Sequence, residues 1–257
     1  MPACSAGRRG GGPVRGEETT DNLRGYGLSI VQPRDGYRFS LDPLLLCDFA
    51  EVLGGGSVID LGTGCGVIPL VLARRCATAT VVGVEFQEEM AALAERNVNL
   101  NGLSDRIGII GADVLALRKH FPVSSFDLVM ANPPYRRHGT GKISPKAGRD
   151  LARHETTAAL TDFLHMAKYL VKPSGKICFI YHPSRLAEFC AEAVAMKLAP
   201  ARMRLVHGSS AAAARMVMLE LSKGRRNGLE VLPPLLVYGP DGKYSEEMKR
   251  ILGEENA

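Results

Sequence analysis

Short apolar runs alternate with longer amphipathic segments from Ser57 to Lys223. The short runs have the length and the β-branched composition of buried strands, and the longer segments repeat apolar residues at helical spacing. Seven strands are predicted, at 57–62, 79–85, 105–113, 125–134, 176–182, 201–207 and 215–223. Helices are predicted at 67–75, 88–102, 157–175, 183–197 and 245–252, the last of them capped by Ser245.

Strands that alternate with helices indicate a parallel sheet with helices on both faces. The segment between the last two strands is too short for a crossover helix, so these strands should pair antiparallel at the sheet edge. We therefore predict an α/β protein with a seven-stranded, mainly parallel sheet whose last strand is antiparallel. The chain is predicted to divide into three segments: a disordered Gly/Arg-rich tail at 1–20, the α/β domain at 21–223 and a C-terminal extension at 224–257.

Composition narrows the range of functions. The six cysteines are scattered, without a C-x-x-C pair or a Cys/His cluster, so neither a metal site nor a disulfide framework is predicted. This pattern favours a reducing compartment, and we expect a cytoplasmic protein. No apolar run reaches the length of a membrane span, so no membrane association is expected. The net charge of +5 is too small to establish a polyanionic partner by itself.

A glycine-rich turn follows the strand at 57–62 and opens the next helix. It contains Gly62, Gly64 and Gly66 after the acid Asp60. Glycine allows a tight turn and the close approach of a ligand to the backbone. The dinucleotide fingerprint requires a glycine at the sixth position, where this chain has Val67. The G-x-G-x-G spacing instead resembles motif I of the class I methyltransferases, which bind S-adenosylmethionine.

Two acids at the ends of the following strands support the same cofactor. Glu85 ends the second strand, where a carboxylate can accept both ribose hydroxyls, and Asp113 ends the third, where it can accept from the adenine amino group. Asp60 either ties the amides of the loop or contacts the methionine amino group. Parallel strands present their carboxyl ends at one edge, so these residues should meet there.

The sequence Asn132-Pro133-Pro134-Tyr135 follows the fourth strand. Two prolines also end a strand for purely structural reasons. At this position, however, the motif resembles that of methyltransferases acting on nitrogens conjugated to a π-system. The Asn132 side-chain oxygen and the Pro133 carbonyl can each accept one N–H of such a nitrogen, while Tyr135 stacks on the planar group. We predict Asn132, Pro133 and Tyr135 as catalytic residues, and Asn132 also as a cofactor-binding residue.

With both motifs, the chain resembles the tRNA (adenine-N6) methyltransferases that modify the adenine beside the anticodon of a valine tRNA. The resemblance extends from about Gln32 to Lys249. Besides the two shared motifs, it rests on three more specific segments: Tyr37–Leu46, Ala152–Glu155 and Lys223-Gly224. It implies a Rossmann-like class I methyltransferase fold and N6-methylation of an adenine in tRNA. It also implies that the segment containing Phe39 and Asp42 covers the methionine end of the cofactor.

A basic segment lies between the N-P-P-Y motif and Glu155, with a single acid, Asp150. At the rim of the substrate pocket, such charges would contact phosphates on either side of an extruded base. We predict five of its residues as RNA contacts: Arg136, Arg137, Lys142, Lys146 and Arg153.

The two motifs leave several further functions open. A protein glutamine N5-methyltransferase acting on a release factor would use the same N-P-P-Y sequence, because a glutamine amide is also planar. Members of that family carry a helical domain ahead of motif I, which the segment before Ser57 does not suggest. A guanine-N2 rRNA methyltransferase, a DNA adenine methyltransferase and a non-catalytic methyltransferase-like binding module are also candidates.

Overall fold

The central sheet contains the predicted strands in a doubly wound order. The computed structural model describes residues 18–34, 38–133, 158–224 and 228–254. Its strands are β1 (Glu18–Leu23), β2 (Leu28–Pro33), β3 (Ser57–Leu61), β4 (Thr80–Glu85), β5 (Ile107–Gly111), β6 (Phe126–Ala131), β7 (Val171–Tyr181), β8 (Leu198–His207), β9 (Ala214–Lys223), β10 (Glu230–Val231) and β11 (Leu235–Leu236). Its α-helices are α1 (Asp42–Phe49), α2 (Val67–Arg75), α3 (Glu88–Leu100), α4 (Leu160–Leu170), α5 (Leu186–Ala195) and α6 (Glu246–Leu252).

Seven of the strands form the order β5-β4-β3-β6-β7-β9-β8. All neighbours in this order are parallel except β9, which is antiparallel to both β7 and β8. The predicted fold class is therefore confirmed. The two-residue strands β10 and β11, which the sequence pattern did not predict, pair with the outer edge of β8.

β7 begins five residues earlier than predicted, because helix α4 ends at Leu170 and the chain continues directly as a strand. Pro173 and Gly175, at the predicted end of the helix, lie within the strand. A Cβ at Gly175 would stand 2.7 Å from the Asp127 carbonyl oxygen. Glycine is therefore required here by the close approach of two backbones, and not by a helix end.

Buried side chains form one core on each face of the sheet. Helices α1, α2, α3 and α6 cover one face, and α4 and α5 cover the other. Within the described ranges, no helix is both long and apolar enough to cross a membrane.

The segments outside the seven strands pack on the first of these cores. Residues 18–20, assigned to the tail, form the start of β1, and the preceding residues lie outside the described ranges. In the C-terminal extension, Met248 and Ile251 of α6 are buried, and the Ile251 carbonyl accepts a hydrogen bond of 2.6 Å from Tyr26 Oη. Ser245 caps α6 as predicted, its hydroxyl accepting from the Met248 amide at 3.1 Å. The boundaries at 20 and 223 stay a prediction.

β1 and β2 form an antiparallel hairpin ahead of the main sheet. Its burial alternates, with Leu28 and Ile30 buried against the helices α2 and α3. The hairpin was not predicted, because six-residue strands with a short apolar stretch, ETTDNL and LSIVQP, carry little sequence signal on their own.

Candidate active site

The ends of β3 and β6 bring the two predicted motifs together. In the parallel register, Leu61 pairs with Ala131, so the chain leaves the sheet at Gly62 and at Asn132 from adjacent positions. Both residues line one cleft. The residues along the cleft are Phe39, Pro43, Gly62, Thr63, Gly64, Cys65, Val67, Ile68 and Asn132. The cleft thus joins the glycine loop, the start of the N-P-P-Y motif and the segment before α1.

The glycine loop has a backbone that requires glycine. Gly62, Gly64 and Gly66 have φ of 79°, 57° and 87°, in the left-handed region that L side chains rarely adopt. The Gly62 and Thr63 amides donate to the Val84 carbonyl at 2.9 and 2.8 Å, which ties the loop to β4. A Cβ at Gly66 would also lie 3.3 Å from Ala94 Cβ on α3. The loop is therefore held closely between β4 and α3.

Glu85 ends β4 beneath this loop and is almost completely buried. Its Oε2 accepts from the Gly64 amide at 2.9 Å, and its Oε1 accepts from the Gln87 amide at 2.9 Å. A carboxylate has about four acceptor sites, so two amides leave capacity for ribose hydroxyls. Glu85 consequently has a role that the sequence did not suggest, since it also fixes the conformation of the glycine loop.

Asp113 lies two residues after the end of β5 and caps the short 3₁₀ helix that follows, accepting from the Leu115 amide at 2.9 Å. Two apolar neighbours of these acids were not among the predicted site residues. Phe86, directly after Glu85, is 44% exposed, and Leu115 is 50% exposed. Large apolar side chains left exposed beside strand-end acids are suited to packing on a planar base. An apolar residue immediately after a strand-end acid is the signal that identifies Phe86.

Asp60 is fully buried, and neither of its carboxylate oxygens has a hydrogen-bond partner among the described residues. The Thr63 hydroxyl is likewise buried and unpartnered. Burial raises the pKa of Asp60 to about 7, and the negative charge of Glu85 adds to this rise. The carboxylate accepts from no loop amide in the described structure, so the first of its two predicted roles is not observed. Orphaned acceptors next to the cleft fit a bound ligand that carries an ammonium group.

Because the pKa of Asp60 is raised, we predict that the free energy of unfolding depends on pH. Its pKa in the folded protein is about 7, against about 3.9 in an unfolded chain. Between these values the folded state binds more protons than the unfolded state, so stability falls as pH rises from about 4 to about 7. One such group changes the free energy of unfolding by at most about 1.4 kcal/mol per pH unit.

Denaturant unfolding across this pH range measures the effect, with Asp60→Asn as the comparison because it cannot ionise. We expect the wild-type protein to lose stability relative to Asp60→Asn as pH rises. A difference between the two proteins that stays constant with pH would show that Asp60 does not titrate in this window.

The segment before α1 supplies Phe39 to the cleft, and its amide donates to Gln32 Oε1 at 3.1 Å. Asp42 is the first residue of α1, and its amide donates to Ser40 Oγ at 3.2 Å. Asp42 precedes the lining residue Pro43 but does not itself line the cleft.

Pro133 is buried directly after Asn132. Tyr135 and the predicted RNA contacts lie outside the described residues; the latter are Arg136, Arg137, Lys142, Lys146 and Arg153. Within the described ranges, no group of three or more His, Cys, Asp or Glu side chains is placed to hold a metal ion.

Comparison with known proteins places this site in a family. Residues 42–190, more than half of the chain, match the family model of the methyltransferase small domain. The matched segment contains the glycine loop, Glu85, Asp113 and the N-P-P-Y motif.

Two curated relatives extend the match beyond this domain. The tRNA1(Val) (adenine(37)-N6)-methyltransferase of Tolumonas auensis is 30% identical over 226 residues, covering 88% of this chain and 92% of its own. The protein of the same name from Porphyromonas gingivalis strain W83 is 32% identical, covering 68% of this chain and 71% of its own.

Among solved structures, a predicted O-methyltransferase of Agrobacterium tumefaciens matches with a TM-score of 0.68 and 22% identity. The match covers 82% of this chain and 95% of that one. At this level of identity, the likeness establishes the fold alone.

Proposed function

The chain belongs to the methyltransferase small domain family and, within it, to the tRNA1(Val) (adenine(37)-N6)-methyltransferases, and from this premise we propose that it transfers a methyl group from S-adenosylmethionine to N6 of an adenine in tRNA. The observation that carries the proposal is the pairing of Leu61 with Ala131. It brings the glycine loop and Asn132 to one cleft, so that cofactor and acceptor nitrogen would meet there.

The described residues fit the parts of this cofactor. Glu85 retains acceptor capacity for the ribose hydroxyls, and Asp113 lies at the next strand end for the adenine amino group. We assign the methionine ammonium to the Asp60 carboxylate, which is buried and without a hydrogen-bond partner among the described residues. Phe39 lines the same cleft from the segment before α1. We propose these residues, with Asp42 and the three loop glycines, as the cofactor site.

The bound cofactor supplies an electrophilic methyl group on a positively charged sulfur. An adenine amino group is a weak nucleophile, because its lone pair is delocalised into the ring. Asn132 Oδ1 and the Pro133 carbonyl would each accept one N6–H, which orients the lone pair toward the methyl group. Transfer would form the N–C bond as the methyl–sulfur bond breaks, which would leave a neutral thioether, and N6 would then lose one proton to solvent. The methylated nitrogen is acidic enough that the chain needs no dedicated base.

We propose that Tyr135 stacks on the target base after the base leaves its own stack. The basic residues that follow it in sequence would contact the flanking phosphates. These residues are Arg136, Arg137, Lys142, Lys146 and Arg153. The proposed substrate also implies that the protein acts where tRNA is available, in the cytoplasm.

The proposed RNA interface predicts salt-sensitive binding. Each phosphate contact that is neutralised releases counterions, so affinity for tRNA should fall steeply as salt rises. Replacing Arg136 and Arg137 together by Ala should weaken tRNA binding and reduce the slope of log K against log salt by about 1.4 to 1.8, for two lost contacts. Filter binding or fluorescence anisotropy over a salt series measures both quantities.

The matched control is Arg74→Ala with Arg75→Ala. These substitutions remove the same charge from the last turn of α2. The glycine loop precedes the first turn of this helix, so the two arginines lie at the end of the helix that is farther from the cleft. The control should leave the salt slope unchanged. Equal slopes for both double variants would contradict an RNA interface beside the N-P-P-Y motif and favour a protein glutamine as the substrate.

A further inference from the structure

Two asparagines on α3 and at its end bind the free edge of the N-terminal hairpin. Asn97 Oδ1 accepts from the Val31 amide at 2.8 Å, and Asn97 Nδ2 donates to the Val31 carbonyl at 2.8 Å. Asn101, four residues later, makes the same pair of bonds with Ser29, at 2.9 and 2.8 Å. Four helical residues advance about 6 Å and two strand residues about 6.6 Å, so the two spacings match. The side-chain amides therefore take the place of a neighbouring strand.

Asn97 makes one further bond that Asn101 does not. Its Nδ2 also donates to the Cys65 carbonyl, at 2.9 Å, between the second and third glycines of the cofactor loop. Asn97 is fully buried, and its three hydrogen bonds join α3, the hairpin and the loop at one point. The second Nδ2 bond of Asn101 goes to the Asn97 carbonyl of its own helix, at 2.7 Å. Among the described residues, Asn97 alone provides a direct side-chain bond between hairpin and loop.

The next residue of the hairpin binds a second segment of the cleft lining, the one that contains Phe39. Gln32 follows Val31 and is buried. Its Oε1 accepts from the Phe39 amide at 3.1 Å, and its Nε2 donates to Asp21 on β1. Arg38 also pairs with Asp21, at 2.8 Å. The segment bearing Phe39 is therefore fixed to the hairpin at two adjacent residues.

We propose that Asn97 and Gln32 are positioning residues, which set the distance between the two walls of the cofactor cleft by fixing both walls to the hairpin. One wall is the glycine loop, held at Cys65 by Asn97, and the other is Phe39, held by Gln32. The hairpin thereby becomes part of the cofactor site although none of its residues lines the cleft. This inference rests on the proposed function, because it assumes that S-adenosylmethionine binds in the cleft.

The effect should appear in cofactor affinity and not in the chemical step. Asn97→Ala leaves the Cys65 carbonyl without its side-chain partner and frees the loop from the hairpin. The Kd for S-adenosylmethionine should rise tenfold or more. At saturating cofactor, kcat should stay within about threefold of wild type, because Asn132 and Pro133 are untouched.

Asn101→Ala is the matched control. It removes an equivalent pair of hairpin bonds, those to Ser29, and a bond within α3, but none to the loop. It should therefore lower thermal stability while changing the Kd by less than threefold. Titration calorimetry with S-adenosylmethionine and thermal unfolding, on both full-length variants, separate the two effects. Equal changes in Kd for the two variants would overturn the proposal and leave Asn97 a structural residue only.

Gln32→Met provides an independent test if Asn97→Ala does not fold. It keeps the length of the side chain and the Asn97 bonds but cannot accept from the Phe39 amide. Hydrogen exchange at that amide should become faster, and the Kd for S-adenosylmethionine should rise about fivefold. Faster exchange with an unchanged Kd would overturn the proposal. Absence of cofactor binding by the wild-type protein would instead refute the proposed function.

Discussion

Asn132→Ala should reduce methyl transfer by about 10²- to 10³-fold, the usual cost of losing one hydrogen-bonding group that acts on the reacting centre. Asn132 lines the cleft at the end of β6, beside the glycine loop. Its side-chain oxygen would hold one N6–H of the acceptor, an interaction that matters most as the lone pair turns toward the methyl group. Cofactor affinity should change little, since the loop and its acids are intact. Single-turnover transfer and calorimetric titration, on the same protein, measure the two quantities.

Asn132→Asp is the informative companion to this variant. Aspartate has nearly the same size and retains acceptor oxygens at the same position, so it should keep more activity than alanine. A fully active Asn132→Ala protein would remove Asn132 from the mechanism. Equal loss of turnover and of cofactor affinity would instead assign it to cofactor binding alone.

Glu85→Ala should weaken S-adenosylmethionine binding more than removal of either of the other two strand-end acids, Asp60 and Asp113. Two causes contribute. The ribose hydroxyls would lose the charged acceptor that we propose for them, at about 1.5–3 kcal/mol for each bond, or roughly 10- to 150-fold in Kd. The amides of Gly64 and Gln87 also lose their acceptor, which frees the glycine loop. Titration calorimetry measures the loss.

Glu88→Ala is the matched control, because Glu88 is an exposed acid in the first turn of α3, three residues further along the chain. It should leave the Kd within about twofold of wild type. Unchanged affinity in Glu85→Ala would mean that the cofactor ribose is held elsewhere.

The alternation of strands and helices predicted the main sheet well, because buried parallel strands are continuous apolar runs that differ clearly from amphipathic helices. The strand from 57, the helix at 67–75 and the antiparallel pairing of the last strand were all predicted from this pattern. The family resemblance is confirmed by the curated relatives. The meeting of the glycine loop with Asn132 followed from the strand order that such a fold imposes.

The sequence pattern did not predict the hairpin or the side-chain hydrogen bonds that connect it to α3 and to Phe39. Asn97 and Asn101 resemble ordinary polar residues near a helix end, and nothing local shows that their amides replace a strand. Gln32 has an equally ordinary local context, yet it is buried and binds Phe39. The second role of Glu85 also depends on the folded loop, since the Gly64 amide reaches it only in the left-handed conformation of these glycines. Long-range polar contacts of this kind have no periodicity from which to predict them.

Methyl transfer from labelled S-adenosylmethionine to purified tRNA, followed by nucleoside analysis, tests directly whether the protein methylates N6 of an adenine in tRNA. Total rRNA and a release factor serve as parallel acceptors under the same conditions. We expect label in tRNA, recovered as N6-methyladenosine, and its loss in Asn132→Ala. Label recovered in a glutamine of the release factor, in a guanosine of rRNA, or in none of the three acceptors would contradict it.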